Sequence, residues 1–152
     1  MQYIDVIRDF AQRTQNICKT YTGPYETTNL INSSLGLFVF PEQTFFNNLS
    51  NEMVSPELLE QLKRCCTSSY NETLDLRSLC RHIRNGIAHF HLKFDANNHG
   101  EIVGITINDT DSRKCPVPHF EITLSVETLK CFFFEFSESI INLESKRTCK
   151  EE

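Results

Sequence analysis

The sequence predicts a mainly α-helical protein, with a bundle of four or five helices and a small β-hairpin before the last helix. Several long segments carry apolar residues at every third or fourth position, whereas only two neighbouring segments are rich in β-branched residues. The chain has 152 residues, of which 39% are hydrophobic and 23% are charged. These values predict a single domain over residues 1–152, with a charged tail at about 145–152.

Three helices are predicted in the first half of the chain. The first covers residues 3–21, and the second covers residues 26–40, where Pro41 prevents its continuation. Ser55 is a suitable N-cap for the third helix, residues 56–66, because its hydroxyl can accept a hydrogen bond from a free backbone N–H. The predicted connections are residues 42–54 and residues 67–71.

The fourth predicted helix, residues 76–93 with Asp75 as its N-cap, separates apolar from basic side chains. At about 100° per residue, its apolar residues fall on one face: Leu76, Leu79, Cys80, Ile83, Ile87, Phe90 and Phe94. The rest of the surface carries Arg81, His82, Arg84, Asn85 and His89. The helix therefore presents a basic face on a chain that is acidic as a whole.

A hairpin and a fifth helix complete the predicted fold. Residues 102–107 are rich in β-branched side chains and residues 120–124 alternate apolar with polar, so they are predicted to pair as strands. The segment between them, residues 108–118, is predicted to be an exposed loop. Ser125 is predicted to cap the last helix, whose apolar face consists of Leu129, Phe132, Phe133, Phe136, Ile140 and Leu143.

Charge and composition exclude several classes of function. A formal net charge of −5 argues against binding nucleic acid through a general basic coat, so any RNA contact must be local. The start of the chain does not resemble a secretory signal, and no apolar run approaches the roughly 18 residues of a membrane span. We therefore expect a cytoplasmic protein without a membrane partner.

Neither a cofactor nor a metal is predicted. None of the seven cysteines forms a Cys-x-x-Cys pair, and reduced thiols are expected. The loop residues His99 and His119, taken with Asp109 and Asp111, offer no convincing spacing for metal ligands.

The basic face carries residue types that suit cleavage of an RNA backbone without a metal. Histidines titrate near neutral pH, so His89 is predicted to move the protons that the 2′-hydroxyl loses and the leaving oxygen gains. The guanidinium of Arg84 matches phosphate oxygens, and the amide of Asn85 could orient either partner. An Arg-x4-His spacing alone is weak, because a solvated polar face explains it equally well.

The segment Arg84-Asn85-Gly86-Ile87-Ala88-His89 resembles the Arg-x4–6-His signature of HEPN domains, including the polar residue that often follows the arginine. Residues 10–14, 25–41 and 100–105 and the closing helix also look like a group of stand-alone bacterial HEPN nucleases. The resemblance implies a homodimer formed through the motif helix and a metal-independent endoribonuclease, often in toxin–antitoxin or phage-defence settings. It implies Arg84 and His89 as the catalytic pair, with Asn85 assisting.

Further roles and one alternative accompany this resemblance. Arg81, His82 and His91 are predicted to contact RNA. In one toxin branch of the family, the position of His91 holds a tyrosine that a partner nucleotidyltransferase modifies. Neutralisation of this protein by such a modification is therefore doubtful. Glu26 and Asn29 are either polar partners of the basic face or surface residues. An antitoxin protein is an expected partner. The alternative is a non-catalytic HEPN module that binds a nucleotide or a protein through the same face.

Overall fold

The computed structural model describes residues 3–41, 43–68, 73–110 and 118–148. Six α-helices and four strands follow one another along these residues, with a 3₁₀ turn at Asn51–Met53. The helices are α1 (Tyr3–Thr20), α2 (Glu26–Val39), α3 (Gln43–Phe46), α4 (Pro56–Arg64), α5 (Leu76–Ala88) and α6 (Val126–Thr148). The strands are β1 (Cys66–Ser68), β2 (Leu92–Ala96), β3 (Ile102–Asp109) and β4 (Phe120–Ser125). The mainly α-helical fold with a small sheet is thus confirmed.

The three predicted N-caps are confirmed by hydrogen bonds. Ser55 Oγ accepts from the backbone N–H of Leu58 at 3.4 Å, and Asp75 Oδ1 accepts from that of Ser78 at 2.8 Å. Ser125 Oγ accepts from the backbone N–H of Thr128 at 3.1 Å. Each bond satisfies a donor that the first turn of a helix leaves without an intrahelical partner, which fixes where α4, α5 and α6 begin.

The predicted apolar faces form the core. The central helix α2 is buried through Leu30, Ile31, Leu37 and Phe38, and the ring of Phe38 lies 5.0 Å and 5.4 Å from those of two α6 phenylalanines. Among the described side chains of α6, the buried apolar ones are Leu129, Phe132, Phe133, Phe136 and Ile140. In α1, Ile7 and Ala11 are buried, whereas Ile17 is 53% exposed.

The sheet is antiparallel and has the strand order β1-β4-β3-β2. The predicted hairpin is confirmed as β3 paired with β4, in a register that places Ile105 opposite Leu124 and Ile107 opposite Ile122. These four side chains are buried on one face, and both α5 and α6 contact β3. The basic helix α5 therefore packs on the sheet through β3.

Two strands replace structure that was predicted differently. Strand β1 takes residues predicted as the end of a helix and the start of a loop, and its Cys66 pairs with Ile122. Strand β2 takes the last part of the predicted fourth helix, so the prediction of a helix through residue 93 is wrong. The pairing of β2 with β3 through backbone hydrogen bonds outweighs the local helical spacing.

The true end of α5 exposes two residues predicted for the core. Phe90 is 82% exposed and Phe94 is 44% exposed, whereas Leu76, Leu79, Cys80 and Ile83 are buried as predicted. The assignment of Phe90 and Phe94 to the core assumed a helix that continued through both positions. Because the chain turns after Ala88, that projection does not apply to them.

Several predictions fall outside the described residues. Most of the predicted loop before β4, including Asp111, lies there, and so does the end of the charged tail. Within the part of the chain that the structure describes, we find no helix with the length and apolar character needed to cross a membrane.

Candidate active site

A tight turn at the end of α5 places two histidines side by side. The backbone N–H of Phe90 donates to Ile87 O at 3.0 Å, and that of His91 donates to Gly86 O at 2.8 Å. This pair of bonds defines a Schellman motif. The residue after the C-cap of such a motif, called C′, needs a positive φ, and Phe90 at this position has φ of 60°. The rings of His89 and His91 consequently lie 6.0 Å apart, measured between centroids.

The two histidines differ in their surroundings. His89 is exposed, in agreement with its predicted position on an open face. His91 is half-buried, and its Nδ1 atom is buried without a hydrogen-bond partner among the described residues. A buried nitrogen without a hydrogen-bond partner is energetically costly.

Arg84 is half-buried one turn before His89, with its guanidinium carbon 5.8 Å from the centroid of the Phe46 ring. This arrangement holds the arginine by a cation–π contact. Phe46 also borders a polar groove of about 360 Å³ that Arg77 and Arg81 line. Arg81 is exposed, so cationic side chains run along α5 from this groove towards the histidines.

Asn85 and His82 both bind the carboxylate of Asp109 at the end of β3. The Nδ1–H of His82 donates to Asp109 Oδ2 at 2.7 Å, and Asn85 Nδ2 donates to the same oxygen at 3.1 Å. His82 is only 3% exposed and stacks on the ring of Phe120, with centroids 4.5 Å apart. The prediction that His82 lies on the open face is therefore wrong, because the carboxylate satisfies its polar atom inside the fold.

A second histidine reaches the same carboxylate. His119 Nε2 lies 3.3 Å from Asp109 Oδ2, and the backbone N–H of His119 donates to Asp109 O at 3.1 Å. Burial opposes ionisation of Asp109, but the hydrogen bonds from His82 and Asn85 and the nearby His119 hold the pKa of its carboxyl below the ordinary value. We call His82, Asp109 and His119 the His–Asp–His cluster.

Sequence reasoning missed this cluster. His82 and Asp109 are 27 residues apart, and they meet only because α5 packs on β3. A signal was nevertheless available, since extending the predicted hairpin by two residues places Asp109 opposite Phe120 and thus beside His119. The missing step was the length of the first strand, which the β-branched residues at 102–107 did not define.

Gly86 sets how closely α5 approaches the sheet. A Cβ atom at this position would lie 2.6 Å from both Asn108 O and Ile107 Cγ2. Only glycine therefore allows the backbone of the motif to rest on β3. The contact fixes the distance between Asn85 and Asp109.

Glu26 and Asn29 lie in α2 and contact other groups. Glu26 is exposed, with its Oε1 atom 3.9 Å from Lys130 Nζ, and Asn29 Nδ2 lies 4.0 Å from Cys18 Sγ. For Glu26, surface exposure was one of the two alternatives, and the structure shows it. Neither of these contacts involves a residue of α5.

The structure by itself defines the class of protein. It is a helical domain with a small sheet, in which an arginine and a histidine near the end of α5 are separated by four residues. A family model described as HEPN pEK499 p136 matches residues 1–147. The chain therefore belongs to the HEPN family. No curated protein and no solved structure shows significant similarity to it.

Proposed function

We propose that this protein is a metal-independent endoribonuclease whose active site forms between two copies of the chain. The observation that carries the proposal is the pair formed by the exposed His89 and the half-buried His91 at the end of α5, one turn after Arg84, in a chain of the HEPN family. These groups supply two proton-transferring imidazoles and a phosphate-binding guanidinium at one place on the surface.

The reaction needs no group outside these residues and the RNA. One imidazole accepts the proton of the 2′-hydroxyl, whose oxygen attacks the adjacent phosphorus, and a second imidazole donates a proton to the departing 5′-oxygen. Arg84 neutralises the charge that gathers on the phosphorane oxygens. The products are a 2′,3′-cyclic phosphate and a 5′-hydroxyl, so His89 requires a second histidine, either its copy or His91.

Asn85 is proposed to assist from a fixed position. Its Nδ2 donates to Asp109 at 3.1 Å, which leaves its Oδ1 as the acceptor that can orient an imidazole or a guanidinium. Arg81, which is exposed, is proposed to contact the RNA backbone, and so is His91. The buried position of His82 favours a role in holding Asp109 over a direct contact with RNA.

Phe90 extends the proposed RNA surface. Its ring is 82% exposed between the two histidines, although a positive φ is unfavourable for a residue with a Cβ atom. An exposed aromatic ring can stack on a nucleobase without regard to its identity. Stacking on Phe90 would fix a nucleotide beside His89.

The homodimer is proposed because one copy offers a single Arg84 and a single His89. A two-fold axis near Ala88, which is exposed and small, would let two α5 helices approach and place both pairs in one cleft. Phe90, whose ring is 82% exposed, lies two residues after Ala88 in the chain.

The first test is cleavage of single-stranded RNA in EDTA, with identification of 2′,3′-cyclic phosphate ends. We expect Arg84→Ala and His89→Ala each to reduce the rate at least a hundredfold, as loss of a phosphate-binding group or a proton-transfer group does. Arg13→Ala and His99→Ala, at exposed positions away from α5, serve as matched controls and should keep the activity. Full activity of folded Arg84→Ala or His89→Ala protein would refute the assignment.

The second test addresses the composite site. Differently tagged Arg84→Ala and His89→Ala proteins are mixed and allowed to exchange subunits, and the mixed dimer is isolated through both tags. A pooled site then contains one intact Arg84, one intact His89 and both copies of His91, so the mixed dimer should cut RNA, although each parent does not, where His91 supplies the second imidazole. A mixed dimer as inactive as its parents would exclude a pooled site that uses His91 in this way.

A role as a toxin or phage-defence effector is proposed from the family setting, with an antitoxin protein as the expected partner. Growth arrest on induction of the wild type, but not of the His89→Ala protein, is the expected result. Normal growth on induction of both proteins would contradict the assignment as a toxin. The assignment as an enzyme would then depend on the cleavage test alone.

The alternative is a non-catalytic HEPN module that binds a nucleotide or a protein. The acidic balance of the chain, with a net charge of −5, favours it, because most of the surface repels RNA. RNA or nucleotide binding by the wild type without His89-dependent product would support this alternative over catalysis.

A further inference from the structure

We propose that the His–Asp–His cluster is a binding site for a divalent transition metal ion, with Zn²⁺ as the expected occupant. The carboxylate of Asp109 and ring nitrogens of His82 and His119 supply one ligand atom each, and these atoms lie within 4.8 Å of one another. The inference does not depend on RNA cleavage, since the proposed reaction uses none of the three residues as an acid, base or phosphate ligand.

The spacing of the ligand atoms is close to what an ion needs. Two ligands bound at about 2.1 Å in a tetrahedral arrangement are roughly 3.4 Å apart. His119 Nε2 lies 3.3 Å from Asp109 Oδ2, and His82 Nδ1 lies 2.7 Å from the same oxygen. Entry of an ion replaces the hydrogen bond from His82, and the separation of His82 Nδ1 from Asp109 Oδ2 must grow from 2.7 Å to about 3.4 Å, which rotation of a side chain supplies.

The three ligands are held by rigid parts of the fold. His82 lies on α5, where its ring stacks on Phe120 at an angle of 13° between the planes. Asp109 ends β3 and His119 precedes β4, and a backbone hydrogen bond of 3.1 Å joins these two residues. The close contact of Gly86 with Asn108 fixes α5 against the same strand. Ligands on fixed elements lose little freedom when an ion binds.

Burial and chemistry both select the kind of ion. His82 and Asp109 are 3% and 7% exposed, so an ion here is shielded on that side, while the partly exposed His119 provides access. Imidazole nitrogens with one carboxylate suit Zn²⁺, Ni²⁺ or Co²⁺, whereas Mg²⁺ and Ca²⁺ prefer oxygen ligands only. Asn85, which donates to Asp109, supports the carboxylate as the outer partners of metal ligands do.

The test uses the full chain, stripped with EDTA and then titrated with Zn²⁺ by calorimetry, with Co²⁺ absorption as a second readout of the ligand set. We expect one ion per chain and a rise in Tm of roughly 5 °C or more at a hundredfold excess of Zn²⁺ over Kd. His119→Gln and Asp109→Asn should weaken the binding of Zn²⁺ at least about tenfold. His119→Gln, at a partly exposed position, keeps the test decisive if Asp109→Asn does not fold.

Two controls locate the ion. His99→Gln removes an exposed histidine outside the cluster and should leave Kd for Zn²⁺ unchanged. His89→Gln removes one member of the other pair of neighbouring histidines, His89 and His91, and should also leave Kd for Zn²⁺ unchanged. Absence of binding by the wild type, equal affinity in His119→Gln, or loss of affinity only in His89→Gln would each overturn the proposal. RNA cleavage is assayed in EDTA, so its success or failure is independent of these results.

Discussion

Phe90 occupies a backbone position that normally selects glycine. Its φ of 60° closes the Schellman turn after α5, and its ring contributes little to the core because it is 82% exposed. A side chain that is unfavourable for the backbone and scarcely buried does not serve stability. Unfavourable backbone conformations of this kind cluster at functional sites, which supports the proposed stacking role of the ring beside His89.

The backbone cost of Phe90 can be measured by two substitutions that both remove the ring. Phe90→Gly should be more stable than Phe90→Ala by about 1 kcal/mol in the free energy of unfolding, since only glycine adopts a positive φ without steric cost. Urea denaturation of the two variants gives this difference directly. A Phe90→Ala protein as stable as Phe90→Gly would show that the turn opens when the ring is absent.

The thiols differ sharply in their expected reactivity. Cys80 is fully buried on the inner face of α5, and burial raises the pKa of its thiol far above the ordinary value; burial raises that of Cys66 to about 12. Cys131 is exposed on α6. In native protein at pH 8, iodoacetamide should modify Cys131 at least about tenfold faster than Cys80, because the thiolate is the nucleophile.

Mass spectrometry of proteolytic fragments after timed alkylation measures this ratio. Denatured protein provides the control, in which the two thiols should react at similar rates. Comparable rates in the native protein would mean that α5 separates from the core more often than its burial implies.

Individual side chains show where sequence reasoning about the site succeeds. Arg84 and His89 could be placed because an amphipathic helix has one definable core face, and His89 is indeed exposed. His82 could not, because nothing local to residue 82 indicates that a carboxylate 27 residues away will satisfy its ring nitrogen. A polar side chain can be buried when it finds a hydrogen-bond partner, and the tertiary structure determines which partner is near.

At the scale of elements, the packing of α5 on β3 decides the geometry of the site. Gly86 and Gly36 are both inside helices, yet an added Cβ atom meets backbone at 2.6 Å in one case and only Phe10 Cζ at 3.6 Å in the other. The two glycines therefore form a matched pair for testing this contact.

Gly86→Ala should destabilise the protein by about 1 to 3 kcal/mol, because α5 must move away from Asn108. Gly36→Ala should instead stabilise it by up to about 1 kcal/mol, through the higher helix propensity of alanine. Thermal and urea unfolding of both variants measure these changes. A neutral Gly86→Ala would mean that the helix and the strand tolerate a wider separation than the described contact.

The elements with clear local signals could be predicted from sequence, and β2 could not. Ser55, Asp75 and Ser125 begin helices because their side chains accept backbone N–H groups within the same turn. The end of α5 lacks such a signal. Phe90 occupies the position where a glycine would indicate the turn, and Phe94 continues the helical spacing by chance. The pairing partner of β2 lies in β3, so its strand state depends on residues 6 to 15 positions away.

For the molecule as a whole, the proposed RNA binding must act against a net charge of −5. The single basic stretch on α5 can neutralise only a few phosphates. Because the salt dependence grows with that number, we expect the affinity for RNA to depend weakly on salt concentration. With the His89→Ala protein, which should bind without cutting, log K against log salt concentration should fall with a slope between about −1 and −3 for single-stranded RNA.

Arg81→Ala in the same background should reduce the magnitude of this slope by about 0.7, the value of one phosphate contact on a single strand. Fluorescence anisotropy of a labelled oligonucleotide at several salt concentrations gives both slopes, and Arg13→Ala is the control. A slope near −6 would indicate a larger basic surface than α5 provides.

The outer strands of the sheet bear on how two copies can meet. β1 is three residues long, and β2 has an irregular register between Asp95 and Ala96 and carries the charged Lys93. Short, kinked and charged borders discourage a neighbouring molecule from continuing the ladder of backbone hydrogen bonds. Self-association by sheet extension, the route that leads to open-ended aggregates, is thereby disfavoured, and we expect the proposed homodimer to use helical surface instead.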